Sequence, residues 1–246
     1  MHIESHNYEC PVCRGKTGHQ FQKNGYDICK CEDCCYLHVF PRPTKDEIID
    51  YYAQNYRSAT EDYYPKAADR RWRGFWQSLL FIPYILGKSV LDVGCGGGFM
   101  VEALGRFSKT AVGVDLSENS ISYAKKRFPN HSFYSEDLTS FCGRGLTFDF
   151  VFSAEVLEHV LCVEEYMETL RCSTKVGGYA FISAPNSGHK KVPQNILEWE
   201  DICPPEHLNW FNDQNLEVLF HKYGFVLHKR FNPKTAAHAV IFQRRE

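Results

Sequence analysis

The chain has 246 residues and a mass of 28.5 kDa, which at about 150 residues per domain is roughly 1.6 domains, one large domain with a small module. Its 43% hydrophobic and 24% charged content is that of a globular chain, and its net charge of -2, from 28 basic and 30 acidic residues, argues against a mainly electrostatic grip on nucleic acid, though not against a local basic patch. The longest apolar run, Leu79 to Leu86, is broken by Pro83 and is too short to span a membrane, and the polar start MHIESHNYEC lacks the apolar stretch of an export signal, so a cytoplasmic protein is expected.

Eleven cysteines are unevenly placed: Cys10, Cys13, Cys29, Cys31, Cys34 and Cys35 all lie in the first 35 residues. An odd count without an export signal argues against a disulfide framework. Cys10-x-x-Cys13 and Cys31-x-x-Cys34, seventeen residues apart, are spaced as two knuckles presenting four thiolates to one zinc ion. Cys29 and Cys35 are spare, and either could replace a neighbour. Gly15, just after the first pair, is the expected residue of positive φ in that knuckle. Four thiolates leave no open coordination position, so the metal is expected to be structural. Residues 1–43 balance five Lys/Arg against five Asp/Glu, whereas a nucleic-acid-binding ribbon is basic.

Past Pro41 and Pro43, Thr44 with Glu47 forms a capping box that starts a helix over about 45–54. A second helix is expected over about 65–82. There Trp72, Phe75, Trp76, Leu79 and Leu80 recur at helical spacing and predict one docked apolar face. Arg70, Arg71 and Arg73 lie mostly off that stripe, either as a solvated face or as a surface for a phosphate-bearing substrate. The expected boundaries are 1–43 for the zinc module, 44–86 for a helical linker and lid, and 87–246 for the main domain.

That domain opens with an apolar strand, Val90 to Val93, running into Gly94-Cys95-Gly96-Gly97-Gly98 and a helix. Glycines there let the backbone pass close to a ligand above a helix N-terminus. A dinucleotide fingerprint fits poorly, since Phe99 or Val101 stands where its last glycine belongs. A second strand, Thr110 to Val114, ends in Asp115, twenty-three residues after Asp92 and placed for a ribose diol. Strands at His131 to Tyr134, Phe148 to Phe152 and Gly178 to Ala184 alternate with helical patterns, as in a doubly wound α/β sheet.

In order and spacing, VLDVGCGGG, GVDLS, SEDL, FDFVFSAEVLEHV and GGYAFISAPN, over about 88–231, resemble class I S-adenosylmethionine-dependent methyltransferases. The EVLEH string resembles the subgroup with quinone-ring O-methyltransferases. The N-terminal pattern C-x-x-C…C-x-x-C-C-Y-L-H-V-F-P-R-P resembles zinc modules fused to natural-product and polysaccharide methyltransferases, although Cys35 stands where those have glycine. The resemblance implies a Rossmann-like sheet behind a small N-terminal zinc-binding module. Asp92, Gly94, Gly96 and Gly98 would floor the methionine part of the cofactor, with Cys95 a small residue that fits the turn. Asp115 would hold the ribose, Leu116 would lie beside the adenine, Asp137 would reach its amino group, and Glu155 would lie near the sulfonium. Tyr51, Tyr52 and Tyr56 resemble lid tyrosines, with Tyr56 at the carboxylate end.

Methyl transfer to a hydroxyl also needs a proton acceptor. The long connection Asn186 to Trp210 carries Pro204-Pro205-Glu206-His207-Leu208-Asn209-Trp210-Phe211 before a helix of about 212–223, and resembles the substrate-lining segment of sugar methyltransferases. His207 is the expected base, oriented by Glu206, with His159 the competing candidate. The leading function is O-methylation of a sugar, nucleotide-linked or quinone-type small molecule by a monomer or homodimer, with zinc structural. C- or N-methylation and a non-catalytic cofactor-binding protein are the alternatives. An RNA or protein methyltransferase is disfavoured by the neutral module and by Ser153-Ala154-Glu155-Val156 in place of an N-P-P-Y-like motif.

Overall fold

A computed structural model describes residues 9–55, 59–60 and 62–245. The N-terminal part folds as β1 (Thr17–Lys23), β2 (Tyr26–Cys31) and β3 (Leu37–Val39), followed by α1 (Lys45–Asn55) and α2 (Ala67–Ser78). The capping box at the start of α1 is formed: the Thr44 amide donates to Glu47 Oε2 at 2.6 Å and the Glu47 amide to Thr44 Oγ1 at 3.3 Å. A 3₁₀ turn, Leu79–Phe81, and α3 (Ile82–Ile85) lead into β4 (Ser89–Val93), α4 (Phe99–Gly105), β5 (Thr110–Asp115) and α5 (Glu118–Arg127). The chain continues through β6 (Ser132–Ser135), α6 (Leu138–Cys142), β7 (Phe148–Ala154), α7 (Val163–Ser173) and β8 (Thr174–Pro185). It ends with β9 (Asn209–Trp210), α8 (Asp213–Lys222), β10 (Phe225–Arg230) and β11 (Ala237–Arg244).

The main sheet has seven strands in the order β10-β11-β8-β7-β4-β5-β6, parallel from β8 to β6 and closed by antiparallel β11. This is the expected doubly wound α/β sheet, and β10 and β11 extend it beyond the five strands expected. One face is covered by a Phe81, Phe150, Phe152 and Phe181 cluster, its rings 4.7 to 5.5 Å apart. Such aromatic burial supplies much of the apolar area that holds α/β layers together.

The cysteine-rich part is packed into the rest of the chain. Its strands form a second sheet, β1-β2-β3-β9, whose last strand comes from the connection after β8. Ile28, Leu37 and Val39 share a core with Trp199, Ile202, Leu208 and Trp210, and Cys10, Val12, Cys31 and Tyr36 join the main core.

Two local expectations are corrected. The docked face expected on the second helix is not docked: Trp72, Trp76 and Leu80 are 65%, 53% and 55% exposed. That helix packs through Gly74, where an added Cβ would lie 3.6 Å from Ala103 of α4, and through buried Ser78. The left-handed residue of the first knuckle is Arg14 (φ 63), not Gly15. Gly15 is required for space, because a Cβ there would lie 2.1 Å from Asp33 Oδ2. In the second knuckle Cys35 takes the left-handed position, at φ 60.

Candidate active site

The parallel strands deliver the sequence-predicted residues to one edge of the sheet. β4 is central, flanked by β5 and β7, so its glycine turn opens at the point where the strand order reverses and a crevice forms. Gly94, Gly96 and Gly98 have φ of 73°, 49° and 77°, which L-residues adopt only at a cost. The Gly96 amide donates to Asp115 Oδ2 and the Ser117 amide to Asp115 Oδ1, both at 2.8 Å, which pins the second carboxylate to the first turn. Burial raises the Asp92 carboxyl well above the ordinary range, helped by the Asp115 charge, and burial likewise raises Asp115 against its two amide bonds. Cys95 is 8% exposed and its thiol is pushed well up by burial, so it is an inert filler of the turn.

Leu116, 61% exposed, follows Asp115 at the end of β5. Asp137 caps α6, its Oδ1 accepting the Ser140 amide at 2.7 Å. Glu155 stands at the end of β7 with φ 56°, its Oε1 accepting the Ser183 hydroxyl at 2.9 Å. Tyr56 and the side chain of Tyr52 lie outside the described residues. The turn and carboxylates fit an adenosine-type cofactor: the glycines let a ligand approach their backbone closely, and Asp115 retains acceptor capacity beside it.

A polar cluster lies along the same edge, in the turn after β7. His159 and His207 meet with ring centroids 4.8 Å apart. His159 donates through Nδ1 to the Glu206 carbonyl at 2.7 Å, and His207 through Nδ1 to the Asp201 carbonyl at 2.8 Å. These bonds place a proton on each Nδ1, so in the neutral ring Nε2 is the acceptor nitrogen. The expected orienting role of the Glu206 carboxylate is corrected: the Asp201 carbonyl holds His207, while Glu206 uses its own carbonyl to hold His159. Burial, and then the neighbouring His207, lower His159 to about 4, so it stays neutral at pH 7.

Glu158 is fully buried, and neither of its carboxyl oxygens has a hydrogen-bond partner. Burial raises its carboxyl strongly, and the adjacent Glu155 adds to this. Its Oε1 is 3.8 Å from His159 Nε2. Among the described residues, one ligand atom from each of Glu158, His159 and His207 falls within 4.8 Å of the others, a span that one metal ion could bridge.

A family described as a methyltransferase domain matches residues 64–230. The chain belongs to this family. Its class I, S-adenosylmethionine-dependent fold is shared with solved structures, among them magnesium protoporphyrin IX methyltransferase of Synechocystis (TM-score 0.58, 15% identity, covering 82% of this chain and 100% of that one). A TehB-like S-adenosylmethionine-dependent methyltransferase of Corynebacterium glutamicum gives a TM-score of 0.53 at 20% identity, covering 72% of this chain and 96% of that one. Among curated relatives, a ubiquinone biosynthesis O-methyltransferase of Rhizobium johnstonii is 36% identical over 141 residues, which is 50% of this chain and 56% of that protein. The human mitochondrial ubiquinone biosynthesis O-methyltransferase is 29% identical over 155 residues, 53% of this chain and 42% of that protein. The chain thus spans about half the length of the curated relatives it matches.

In this methyltransferase domain, Tyr64 is a site residue that sequence reasoning passed over. An added Cβ at Gly96 would lie 2.4 Å from its hydroxyl, and one at Gly97 2.7 Å from its ring. Its ring also meets Phe99 and Tyr123 at 5.3 and 5.4 Å, with the Arg70 guanidinium 5.3 Å above it. Tyr64 therefore covers the glycine turn from the linker side. Its only sequence signal was an aromatic just before the Pro65 that precedes α2.

The four expected cysteines come together. Cys10 Sγ lies 3.6 Å from Cys34 Sγ, and Cys13 Sγ 3.5 Å from Cys31 Sγ, with all four sulfurs within 4.8 Å of one another. Tetrahedral zinc with bonds of about 2.3 Å separates its sulfurs by roughly 3.8 Å, so the donor set fits that ion. The contact between Cys10 and Cys34 lowers the first thiol and raises the second, as for one proton held between two sulfurs. Cys29 lies buried on β2 opposite His19 and Cys35 is exposed, so neither spare displaces a member of the set. Cys142 of α6 and Cys172 of α7 are joined as a disulfide. No helix among the described residues is long and apolar enough to cross a membrane.

Proposed function

We propose that the protein transfers the methyl group of S-adenosylmethionine to an oxygen of a small hydroxylated acceptor of quinone or catechol type. The observation that carries the reading is the His159–His207 pair, its Nδ1 atoms held by carbonyls, on the same sheet edge as the glycine turn and Asp115. The curated relatives named for ubiquinone biosynthesis favour this acceptor over a sugar or a nucleotide-linked one. The bound cofactor supplies a methyl group on a sulfonium that carries its own leaving group. Asp92 and the glycines would floor its methionine end, Asp115 would hold the ribose, and Leu116 and Asp137 would border the adenine. Glu155 would face the sulfonium. His207 Nε2 would accept the acceptor hydroxyl proton while Asp201 fixes its ring, and His159, lowered by burial, would act as a weaker neighbour. The four-cysteine group would hold one structural zinc.

The test is formation of S-adenosylhomocysteine with catechol acids and with hydroxylated sugars as acceptors. His207→Ala is expected to lower turnover by about 10²- to 10⁴-fold while keeping S-adenosylhomocysteine affinity. Unchanged turnover in that variant would remove His207 as base. Methylation of the sugars alone would remove the quinone-type acceptor.

The unpartnered oxygens of buried Glu158 favour a second reading of the same cluster, as the holder of a divalent cation with His159 and His207. A cation held there would neutralise the buried carboxylate. Magnesium or manganese would then raise the unfolding temperature of the wild type but not of Glu158→Gln; equal responses in both would reject it.

A further inference from the structure

The cluster is assembled from two segments almost fifty positions apart in the chain, and the buried side chain of Asn209 helps tie them together. Asn209 is 1% exposed. Its Nδ2 donates to the carbonyls of Val160 and Leu157 at 2.8 and 3.2 Å, within the turn that carries Glu158 and His159. The amides of Leu208 and Asn209 both donate to the Glu158 carbonyl, at 2.7 and 3.1 Å. The residue next to His207 is thus bonded directly to the backbone of the opposing half of the cluster.

The other side of Asn209 belongs to the cysteine module. Its Oδ1 accepts from the Tyr36 hydroxyl and from Arg42 Nη2, the latter at 2.6 Å. Arg42 Nη1 donates to the Leu208 carbonyl at 2.9 Å, and the Val39 amide donates to that same carbonyl at 3.0 Å. Tyr36 is fully buried two residues after Cys34, and its carbonyl accepts the Cys31 amide at 2.9 Å, so it is part of the second knuckle. Arg42 stands between Pro41 and Pro43, whose rings stiffen the backbone that presents the guanidinium. From the other direction, Asn215 Nδ2 donates to the Cys34 carbonyl at 3.1 Å, and Lys222 Nζ to the Pro11 carbonyl at 3.0 Å.

We propose that Tyr36, Arg42 and Asn209 form a positioning bridge through which the four-cysteine module sets the Glu158–His159 turn against the His207 loop for methyl transfer. The module then acts as a scaffold of the catalytic cluster and not as a separate docking unit. None of the three bridge residues needs to touch the acceptor. The bridge fixes two halves of a site whose parts must be held to a fraction of an ångström, and a shift of about 1 Å can cost roughly 10²-fold in rate.

The proposal rests on the reading of His207 and His159 as the reacting cluster, and its test separates the two. Amide hydrogen exchange is measured on the full chain as wild type, as Arg42→Ala, as Arg42→Lys, and after zinc removal with a chelator. In Arg42→Ala the amides of Leu208 and Asn209 are expected to exchange at least about tenfold faster, with zinc content and S-adenosylhomocysteine affinity unchanged. Arg42→Lys, which keeps one donor, should recover part of the protection, and chelation should expose the same two amides. With a catechol acceptor, Arg42→Ala should lower kcat by about ten- to a hundredfold at unchanged KM for S-adenosylmethionine. Unchanged exchange at Leu208 and Asn209, in Arg42→Ala or after zinc removal, overturns the bridge. Faster exchange with unchanged kcat leaves it a folding contact and also overturns the proposal. If the wild type turns over no acceptor, the functional reading fails, and the exchange results alone decide whether the module holds the cluster together.

Discussion

Gly94 gives the most direct test of the glycine turn, because both of its costs can be worked from the structure. At φ 73° an alanine pays for a left-handed backbone, about 1–2 kcal/mol. Its Cβ would also lie 2.4 Å from Val156 Cγ2, a branched side chain packed against the main core, and overpacking of that kind costs about 1–3 kcal/mol. Reduced freedom of the unfolded chain returns about 0.4–1 kcal/mol. The net destabilisation is about 2–4 kcal/mol, which for a chain of this size lowers the unfolding temperature by roughly 4–15 °C. Gly145→Ala is the control, since its φ is 66° but nothing lies within 4 Å of the added Cβ, so only the backbone cost applies. Calorimetric unfolding and titration with S-adenosylhomocysteine read both effects, with affinity expected to fall at least about tenfold in Gly94→Ala and to hold in Gly145→Ala. Equal unfolding temperatures in the two variants, with cofactor affinity intact, would refute the packing argument.

Asp115→Ala removes the acceptor of the Gly96 and Ser117 amides and should weaken S-adenosylhomocysteine binding by more than about tenfold, as isothermal titration would show. Native mass spectrometry is expected to find one zinc per chain in the wild type and none in Cys13→Ser or Cys34→Ser, which should also unfold at lower temperature, whereas Cys35→Ser should keep the metal. Burial raises the Asp149 carboxyl, but bonds from the Ser89 hydroxyl and amide and from Lys175 outweigh it and hold the group at about 2. Its contribution is therefore complete above the unfolded value of 3.8 and is lost as pH falls through about 2. Asp149→Asn should be about 1–2 kcal/mol less stable at pH 7, allowing for partial screening, with the gap closing in acid unfolding near pH 2.

The four-cysteine group and the glycine turn were legible because their information is local. Two short cysteine pairs define a ligand set without reference to the rest of the fold, and a strand followed by closely spaced glycines defines a ligand-facing turn. Even so, the left-handed positions went to Arg14 and Cys35, because the knuckle geometry and the crowding of Gly15 by Asp33 decide between adjacent residues. The α2 stripe was misread for a different reason. Periodicity reports that apolar residues share a face, but the close approach of α4 at Gly74 determines which face is covered, and it leaves Trp72 and Trp76 in solvent.

By itself the sequence determined the family, the sheet with its glycine turn, and the four cysteines and two histidines that come together. Which groups orient those histidines was decided only in three dimensions. The Asp201 and Glu206 carbonyls act from a connection of irregular backbone, where no periodicity constrains direction. The burial of Glu158, and the pairing of β3 with β9 that joins the cysteine module to His207, arise from contacts between segments far apart in the chain. Long-range packing and main-chain bonding have no signature in the spacing of residues along one strand or one helix, so the chemistry was readable and its alignment was not.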